Sequence, residues 1–210
     1  MKRLSLATTL VAVAFVAMFA FATASASASV LCKKPSATFY CGYENAYAPG
    51  TQFIAELAPG TKATLKTAAG GSISSCAASN VRFGFPKVGG EQNTAIGFSE
   101  FSFGSCDSST QTLVTKQLGS GSIGWINGTH NGELWMNLGV ENPKSAYGGN
   151  CSYVIEGPGE IVGGTTPKLV FNKATAVYDS GLYYVCPKLG VTFSATYNFT
   201  SPNPIYVEKN

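Results

Sequence analysis

The fold class is decided by the stretch VTFSATYNF, residues 191–199. Its odd-numbered residues are apolar or aromatic and its even-numbered residues are polar: Val191, Phe193, Ala195, Tyr197 and Phe199 alternate with Thr192, Ser194, Thr196 and Asn198. Successive side chains of a β-strand point to opposite faces, so a period of two places all the apolar side chains on one face. The stretch therefore predicts a half-buried antiparallel strand.

The same alternation recurs throughout the chain. It is clearest at Ala63 and Leu65, and at Leu134, Met136, Leu138 and Val140, which alternate with Glu133, Trp135, Asn137 and Gly139. The phase slips once, at Ser99-Glu100 between Phe98 and Phe101, which predicts a β-bulge. No stretch of useful length has a helical period.

Turn signals separate these segments at short intervals: Pro59-Gly60, Gly70-Gly71, Gly89-Gly90, Asn127-Gly128, Asn131-Gly132, Gly148-Gly149, Pro158-Gly159 and Gly163-Gly164. Together, the strands and turns predict an all-β fold. We expect an antiparallel β-sandwich or jelly-roll-like double sheet with about a dozen short strands. An irregular closed sheet is the alternative.

The composition excludes several classes of protein. Only 12% of the 210 residues are charged, and 45% are hydrophobic, which excludes a charged disordered tail and a coiled coil. The net charge of +3 gives no support for nucleic-acid binding or for a polybasic membrane patch. A chain of this length is expected to form one domain.

The N-terminus has the layout of a secretory signal peptide. Met1-Lys2-Arg3 precedes an apolar run from Leu4 to Phe21 and then a series of small residues that ends at Ala28. A retained membrane anchor is the competing interpretation, but A-x-A cleavage patterns follow the run. We predict a signal peptide over residues 1–28 and a secreted single domain over residues 29–210, extracellular or associated with the cell envelope, with no membrane contact after cleavage.

Six cysteines follow the predicted signal peptide. An even number in an exported chain indicates disulfides, although fifteen connectivities are possible for six cysteines. We expect pairing in sequential order: Cys32 with Cys41, Cys76 with Cys106, and Cys151 with Cys186. Zinc is the competing explanation, but there is no CxxC motif and His130 is the only histidine. The sequence therefore predicts no metal site and no cofactor.

Several short motifs resemble a group of proteins. They are Ser72-Ile73-Ser74-Ser75-Cys76, Phe103-Gly104-Ser105-Cys106, Cys151-Ser152-Tyr153, Cys186-Pro187, and the ending from Ala195-Thr196-Tyr197 to Pro204-Ile205-Tyr206-Val207. With the cysteine spacing, they resemble small secreted six-cysteine proteins of soil actinobacteria. The resemblance covers most of the mature chain and implies an exported β-rich domain. It implies no catalytic residue.

Candidate catalytic groups are few. His130 lies in a polar loop, but no GxSxG-like motif supplies a nucleophile for it to activate. Two carboxylates about 5 to 9 Å apart could hydrolyse a glycosidic bond, and the candidates are Glu133, Glu141, Glu156 and Glu160. Since no DxDxDG loop is present, a dedicated calcium site is not expected.

The two tryptophans are expected to have opposite environments. If Ile126 pairs with Glu133, Trp125 faces the core, and Trp135 lies on the polar face, where its indole covers Gly124. An exposed indole can also stack on a sugar ring. We therefore predict a ligand-binding surface at Trp135, with Tyr147 and His130 at its margin.

Three functions remain open at this point. The first is a non-enzymatic extracellular or cell-surface protein with a structural or adhesive role. The second is a carbohydrate-binding module that uses Trp135, and the third is a secreted glycoside hydrolase with a glutamate pair. Extracellular polysaccharide or another cell-envelope component is the expected partner, and nucleic acid is not.

Overall fold

The computed structural model describes residues 28–85, 93–146, 149–182 and 184–210. The predicted signal peptide lies outside these ranges, apart from Ala28. The described residues form twelve strands and one short 3₁₀ helix, Ser109–Gln111. The strands are β1 (Ser29–Cys32), β2 (Gln52–Leu57), β3 (Ala63–Lys66), β4 (Ser72–Gly84), β5 (Asn93–Cys106), β6 (Val114–Gln117), β7 (Ser120–Trp125), β8 (Gly132–Ser145), β9 (Gly149–Val162), β10 (Lys168–Gly181), β11 (Thr192–Ser201) and β12 (Tyr206–Lys209).

Ten of these strands form one antiparallel sheet, and β1 pairs with β12 in a second sheet. The order in the large sheet is β10-β9-β8-β7-β5-β4-β2-β11, where β3 pairs with both β4 and β11, and β6 pairs with β8. A further pairing of β10 with β11 joins the two ends of this path, so the sheet wraps around its own core. The predicted all-β, antiparallel fold is confirmed.

The core is filled by the apolar faces predicted from the alternation. On β11, Phe193 and Tyr197 have no exposed surface, and Ala195 and Phe199 are nearly as buried. The Tyr197 hydroxyl lies 2.9 Å from Ser79 Oγ, whose own proton goes to the carbonyl of Ser102, so Tyr197 is the donor in this pair. Burial raises the pKa of the Tyr197 phenol, because the phenolate would lie inside the core.

The predicted β-bulge in β5 is confirmed. Arg82 of β4 pairs with Glu100 of β5, and the next residue, Phe83, pairs with Phe98. Ser99 is therefore the extra residue. Because of this extra residue, Phe98 and Phe101 both point into the core, although they are three residues apart.

The register of β7 against β8 differs from the prediction by two residues. We predicted that Ile126 pairs with Glu133, but the structure pairs Trp125 with Gly132. The connecting loop is closed by a hydrogen bond, 3.0 Å long, from the Ile126 N–H to the Asn131 carbonyl. The last strand pair before the loop is Trp125 with Gly132, which is one residue earlier on each strand than predicted. Loop hydrogen bonds of this kind fix the register but leave no clear trace in the sequence pattern.

A slip of two residues leaves the faces of the strands unchanged. Trp125 is partly buried against the core, and the Trp135 side chain is 47% exposed, as predicted. The predicted cover over Gly124 is wrong, because Trp135 pairs with Ser122. The side chain of Asn93 occupies the space beside Gly124, where an added Cβ would lie 2.7 Å from its Oδ1 atom.

The six cysteines form three disulfides in sequential order: Cys32 with Cys41, Cys76 with Cys106, and Cys151 with Cys186. They join three different parts of the fold, because Cys32 lies in β1, the second pair joins β4 to β5, and Cys151 lies in β9. Three disulfides are consistent with an extracellular protein. Within the described ranges, no helix has the length and apolar character needed to span a bilayer.

Fluorescence quenching can test the two tryptophan environments. We expect acrylamide to quench Trp135 more strongly than Trp125, whose ring lies beneath Lys209 Nζ and whose indole N–H donates to the Thr129 carbonyl. The single-tryptophan variants Trp125→Phe and Trp135→Phe isolate the two signals. Equal quenching constants in the two variants would contradict the faces assigned to β7 and β8.

Candidate functional site

The outer face of β8 carries the predicted binding residue. Glu133, Trp135 and Asn137 alternate with buried residues of the core, so all three side chains point away from the interior. On the neighbouring strand β9, Pro158 lies directly opposite Trp135. This platform, which we define as Glu133, Trp135, Asn137, Pro158 and Glu160, is a surface of adjacent side chains on two paired strands.

The indole of Trp135 is held in place by its own strand. Its Nε1–H donates a hydrogen bond of 2.8 Å to Glu133 Oε2, which ties the edge of the ring to the side chain two residues away. Despite this hydrogen bond, Trp135 is 47% exposed to solvent. A ligand that stacks on the ring therefore meets a side chain whose orientation is already restricted.

Two carboxylates meet at one end of the platform. Glu133 and Glu160 are directly paired across β8 and β9, so their Cβ atoms are expected to lie about 5 Å apart. Each carboxylate accepts one N–H bond, Glu133 from Trp135 and Glu160 from the Asn131 amide at 2.9 Å. Among the described residues, neither forms an ion pair. Like charges placed opposite each other destabilise a sheet, so the opposition of Glu133 and Glu160 lowers the stability of the folded protein. The needs of folding alone do not explain this pair.

A shallow depression of about 250 Å³ lies beside these carboxylates. Its lining includes Ile126, Glu133, Pro158, Glu160 and Val170, so both acidic and apolar groups border it. The other two predicted acid candidates do not line it, although Glu156 lies on the same outer face, opposite Asn137 of the platform. Glu141 accepts a hydrogen bond from Ser152.

A second, larger depression of about 700 Å³ was not anticipated from the sequence. Its lining includes Lys116, Asn137 and Asp179, and Lys116 Nζ lies 2.8 Å from Asp179 Oδ2. Hydrogen bonds from Lys116 and Ser180 lower the pKa of Asp179 below its usual value. Asn137 belongs to both the platform and this depression, so the two are neighbours on the same face.

His130 faces a different group of residues from those around Trp135. Its ring lies 4.9 Å from the ring of Phe39 and 5.6 Å from that of Tyr206, and its Nδ1 is 2.9 Å from Glu208 Oε1. These neighbours belong to the end of the molecule covered by β1 and β12. Tyr147, the other predicted margin residue, lies outside the described residues.

Sequence reasoning did not identify Glu208 as a functional candidate. Its side chain has no exposed surface, although it follows the apolar run Ile205-Tyr206-Val207 near the end of the chain. The neighbouring Val207 is buried on the opposite face of β12, next to Gly132. A strand covered on both faces buries neighbouring residues such as Val207 and Glu208, and the alternation pattern cannot distinguish it from a half-exposed strand.

Comparison with known proteins adds no family to these observations. The resemblance to secreted six-cysteine proteins of actinobacteria therefore stays a prediction. The chain matches no protein-family model, no curated protein and no solved structure.

Proposed function

We propose that this protein is a non-enzymatic extracellular or cell-surface adhesion protein that binds polysaccharide on the platform around Trp135. The observation that carries the proposal is the half-exposed indole, fixed by Glu133 and bordered by Pro158 and Glu160. Sugar rings present apolar C–H faces and peripheral hydroxyl groups. An aromatic ring surrounded by hydrogen-bond acceptors is complementary to both.

The carboxylate pair supports the same proposal. Glu133 and Glu160 each retain acceptor capacity beyond the one N–H bond they receive, because an ionised carboxylate has two oxygens with several acceptor sites. Hydroxyl groups of a bound sugar would act as donors between them and relieve their mutual repulsion. A bound polysaccharide therefore reduces the repulsion between Glu133 and Glu160, which is unfavourable in the free protein.

Retention on insoluble polysaccharides tests this function. We expect Trp135→Ala to weaken binding by more than about tenfold, because the loss removes the stacking surface at the centre of the platform. The melting temperature should change little, since the side chain lies outside the core. Val177→Ala is the matched control, because Val177 is another exposed apolar residue, at 43%, and lies outside the platform.

Unchanged retention of the Trp135→Ala variant would contradict the proposal. So would a wild-type protein that no polysaccharide retains across a panel of plant, fungal and bacterial cell-wall polymers. Loss of retention together with a lower melting temperature would show that Trp135 acts through folding. The Val177→Ala control should retain full binding.

The glutamate pair also favours a second candidate, a glycoside hydrolase. Glu133 and Glu160 border one depression and are directly paired, so their Cβ atoms are expected to lie about 5 Å apart, close enough for the two carboxylates to act on one glycosidic bond. Release of reducing sugar by the wild-type protein, and its loss in both Glu133→Gln and Glu160→Gln, would establish this function in place of adhesion. We expect retention without any release of sugar.

A further inference from the structure

Glu208 is a fully buried carboxylate that is only partly satisfied. Its Oε1 accepts the backbone N–H of Ser36 at 2.7 Å and lies 2.9 Å from His130 Nδ1. Its Oε2 has no hydrogen-bond partner among the described residues. Burying a carboxylate with an unpaired oxygen is costly, and a cation in contact with that group would remove much of the cost.

Two sulfur atoms lie next to this carboxylate. The Sγ atoms of Cys32 and Cys41 and one carboxylate oxygen of Glu208 all lie within 4.8 Å of one another, and all three residues are buried. In the structure the two sulfurs are joined in a disulfide, which lacks the negative charge of a thiolate ligand. Reduction would therefore place two potential thiolates beside a carboxylate.

The positions of the two cysteines do not depend on the disulfide alone. Cys32 pairs with Tyr206 in the β1–β12 sheet, and the Cys41 N–H donates to the carbonyl of Lys209 at 2.9 Å. Both cysteines are thus attached through the backbone to the strand that carries Glu208. These hydrogen bonds keep the sulfurs near the carboxylate when the bond between them is broken.

His130 contacts the carboxylate of Glu208 but is not among the three residues whose ligand atoms lie within 4.8 Å of one another. Its Nδ1 is close to Glu208 Oε1 but has no hydrogen bond of acceptable geometry, so this nitrogen is also unsatisfied. Packing against Phe39 and Tyr206 restricts the ring, and the Val207 N–H donates to the His130 carbonyl at 2.9 Å. Two thiolates and a carboxylate are donors that suit Zn²⁺ with water in the fourth position, and His130, in contact with the carboxylate, helps to hold it in place.

We propose that reduction of the Cys32–Cys41 disulfide converts this cluster into a zinc site formed by Cys32, Cys41 and Glu208. A dithiol reductant supplies two electrons and two protons: the protein S–S bond breaks, each cysteine becomes a thiol, and the reductant forms its own disulfide. Zn²⁺ then displaces the two thiol protons to the solvent and binds both thiolates. Glu208 binds as the carboxylate.

This disulfide closes the shortest loop of the three. It closes a loop with a sequence separation of only 9, whereas the other two disulfides span 30 and 35 residues. A shorter loop restricts the unfolded chain less, so its disulfide contributes less stability. Reduction of Cys32 and Cys41 should therefore cost the fold less stability than reduction of either other pair.

Cobalt binding to the full chain tests the site, because tetrahedral Co²⁺ with thiolate ligands has visible d–d bands and a near-ultraviolet charge-transfer band. We expect one Co²⁺ to bind after limited reduction with a dithiol, and none to give these bands in the oxidised protein. Glu208→Gln should weaken binding by at least about tenfold. The exposed Glu56→Gln is the matched control, because Glu56 lies on β2 outside both the cluster and the platform, and it should bind as the wild type does.

A second measurement needs no variant and decides the question even if Glu208→Gln fails to fold. In the partly reduced wild-type protein, Zn²⁺ should slow alkylation of Cys32 and Cys41, as mapped by peptide mass spectrometry, and should leave alkylation of any thiol from the other pairs unchanged. The proposal is overturned if Zn²⁺ protects all cysteines alike or none. It is also overturned if limited reduction unfolds the metal-free protein, or if a folded Glu208→Gln variant binds Co²⁺ as well as the wild type.

Discussion

Replacement of Phe193 by alanine is expected to lower the free energy of unfolding by about 3 to 5 kcal/mol. The Phe193 ring has no exposed surface and lies within 6.4 Å, centroid to centroid, of the rings of Phe101, Phe103 and Phe171. Because these neighbours come from two other strands, β5 and β10, they cannot all move inward to fill the space. Denaturant unfolding followed by circular dichroism measures the loss.

A neighbouring residue on the same strand provides the control for Phe193. Thr196 points to the other face of β11 and is only partly buried, so Thr196→Ala should cost less than about 1 kcal/mol. Comparable losses in the two variants would contradict the assignment of one interior face to β11.

The second large effect is expected at the Cys76–Cys106 disulfide. We predict that Cys76→Ser and Cys106→Ser each lower stability by about 2 to 5 kcal/mol, because each removes the same covalent link between paired residues of β4 and β5. The double variant should be no less stable than the worse single variant, since the second substitution removes nothing that the first has left intact.

Denaturant melts of the two single variants and the double variant test this non-additivity. Each single variant should also contain one titratable thiol after unfolding without reductant, and the double variant none. Additive losses of stability would show that Cys76 and Cys106 act separately.

Local features of the fold could be predicted because they depend on local side-chain order. The buried face of β11, the alternation in β8 and the extra residue at Ser99 all follow from a period of two along the chain. The predicted register of β7 against β8 was wrong by two residues, because hydrogen bonds inside the connecting loop determine where the strand pairing begins. An even slip leaves the faces intact, so the environments of Trp125 and Trp135 were still predicted correctly.

The candidate site was harder to predict from the sequence, because its residues come from segments that are far apart in the chain. The outward direction of Trp135 and Glu133 could be predicted from one strand, but the opposition of Glu133 and Glu160 depends on the register of β8 against β9. Glu208 was missed altogether, since its burial results from the packing of residues 32–41 over β12. Contacts between such distant segments have no periodic signature.

The pairing that closes the large sheet also has consequences for how the chain folds. Residues 192–201 of β11 lie between β10 and the early strands β2 and β3, so they fill the last position of the sheet. Until that segment is available, β2 and β10 have unpaired backbone groups that can recruit strands from other chains. The finished sheet satisfies those groups internally. Aggregation risk is therefore concentrated in the interval before β11 is inserted, and folding should be slow, because the closing contacts join residues far apart in the sequence.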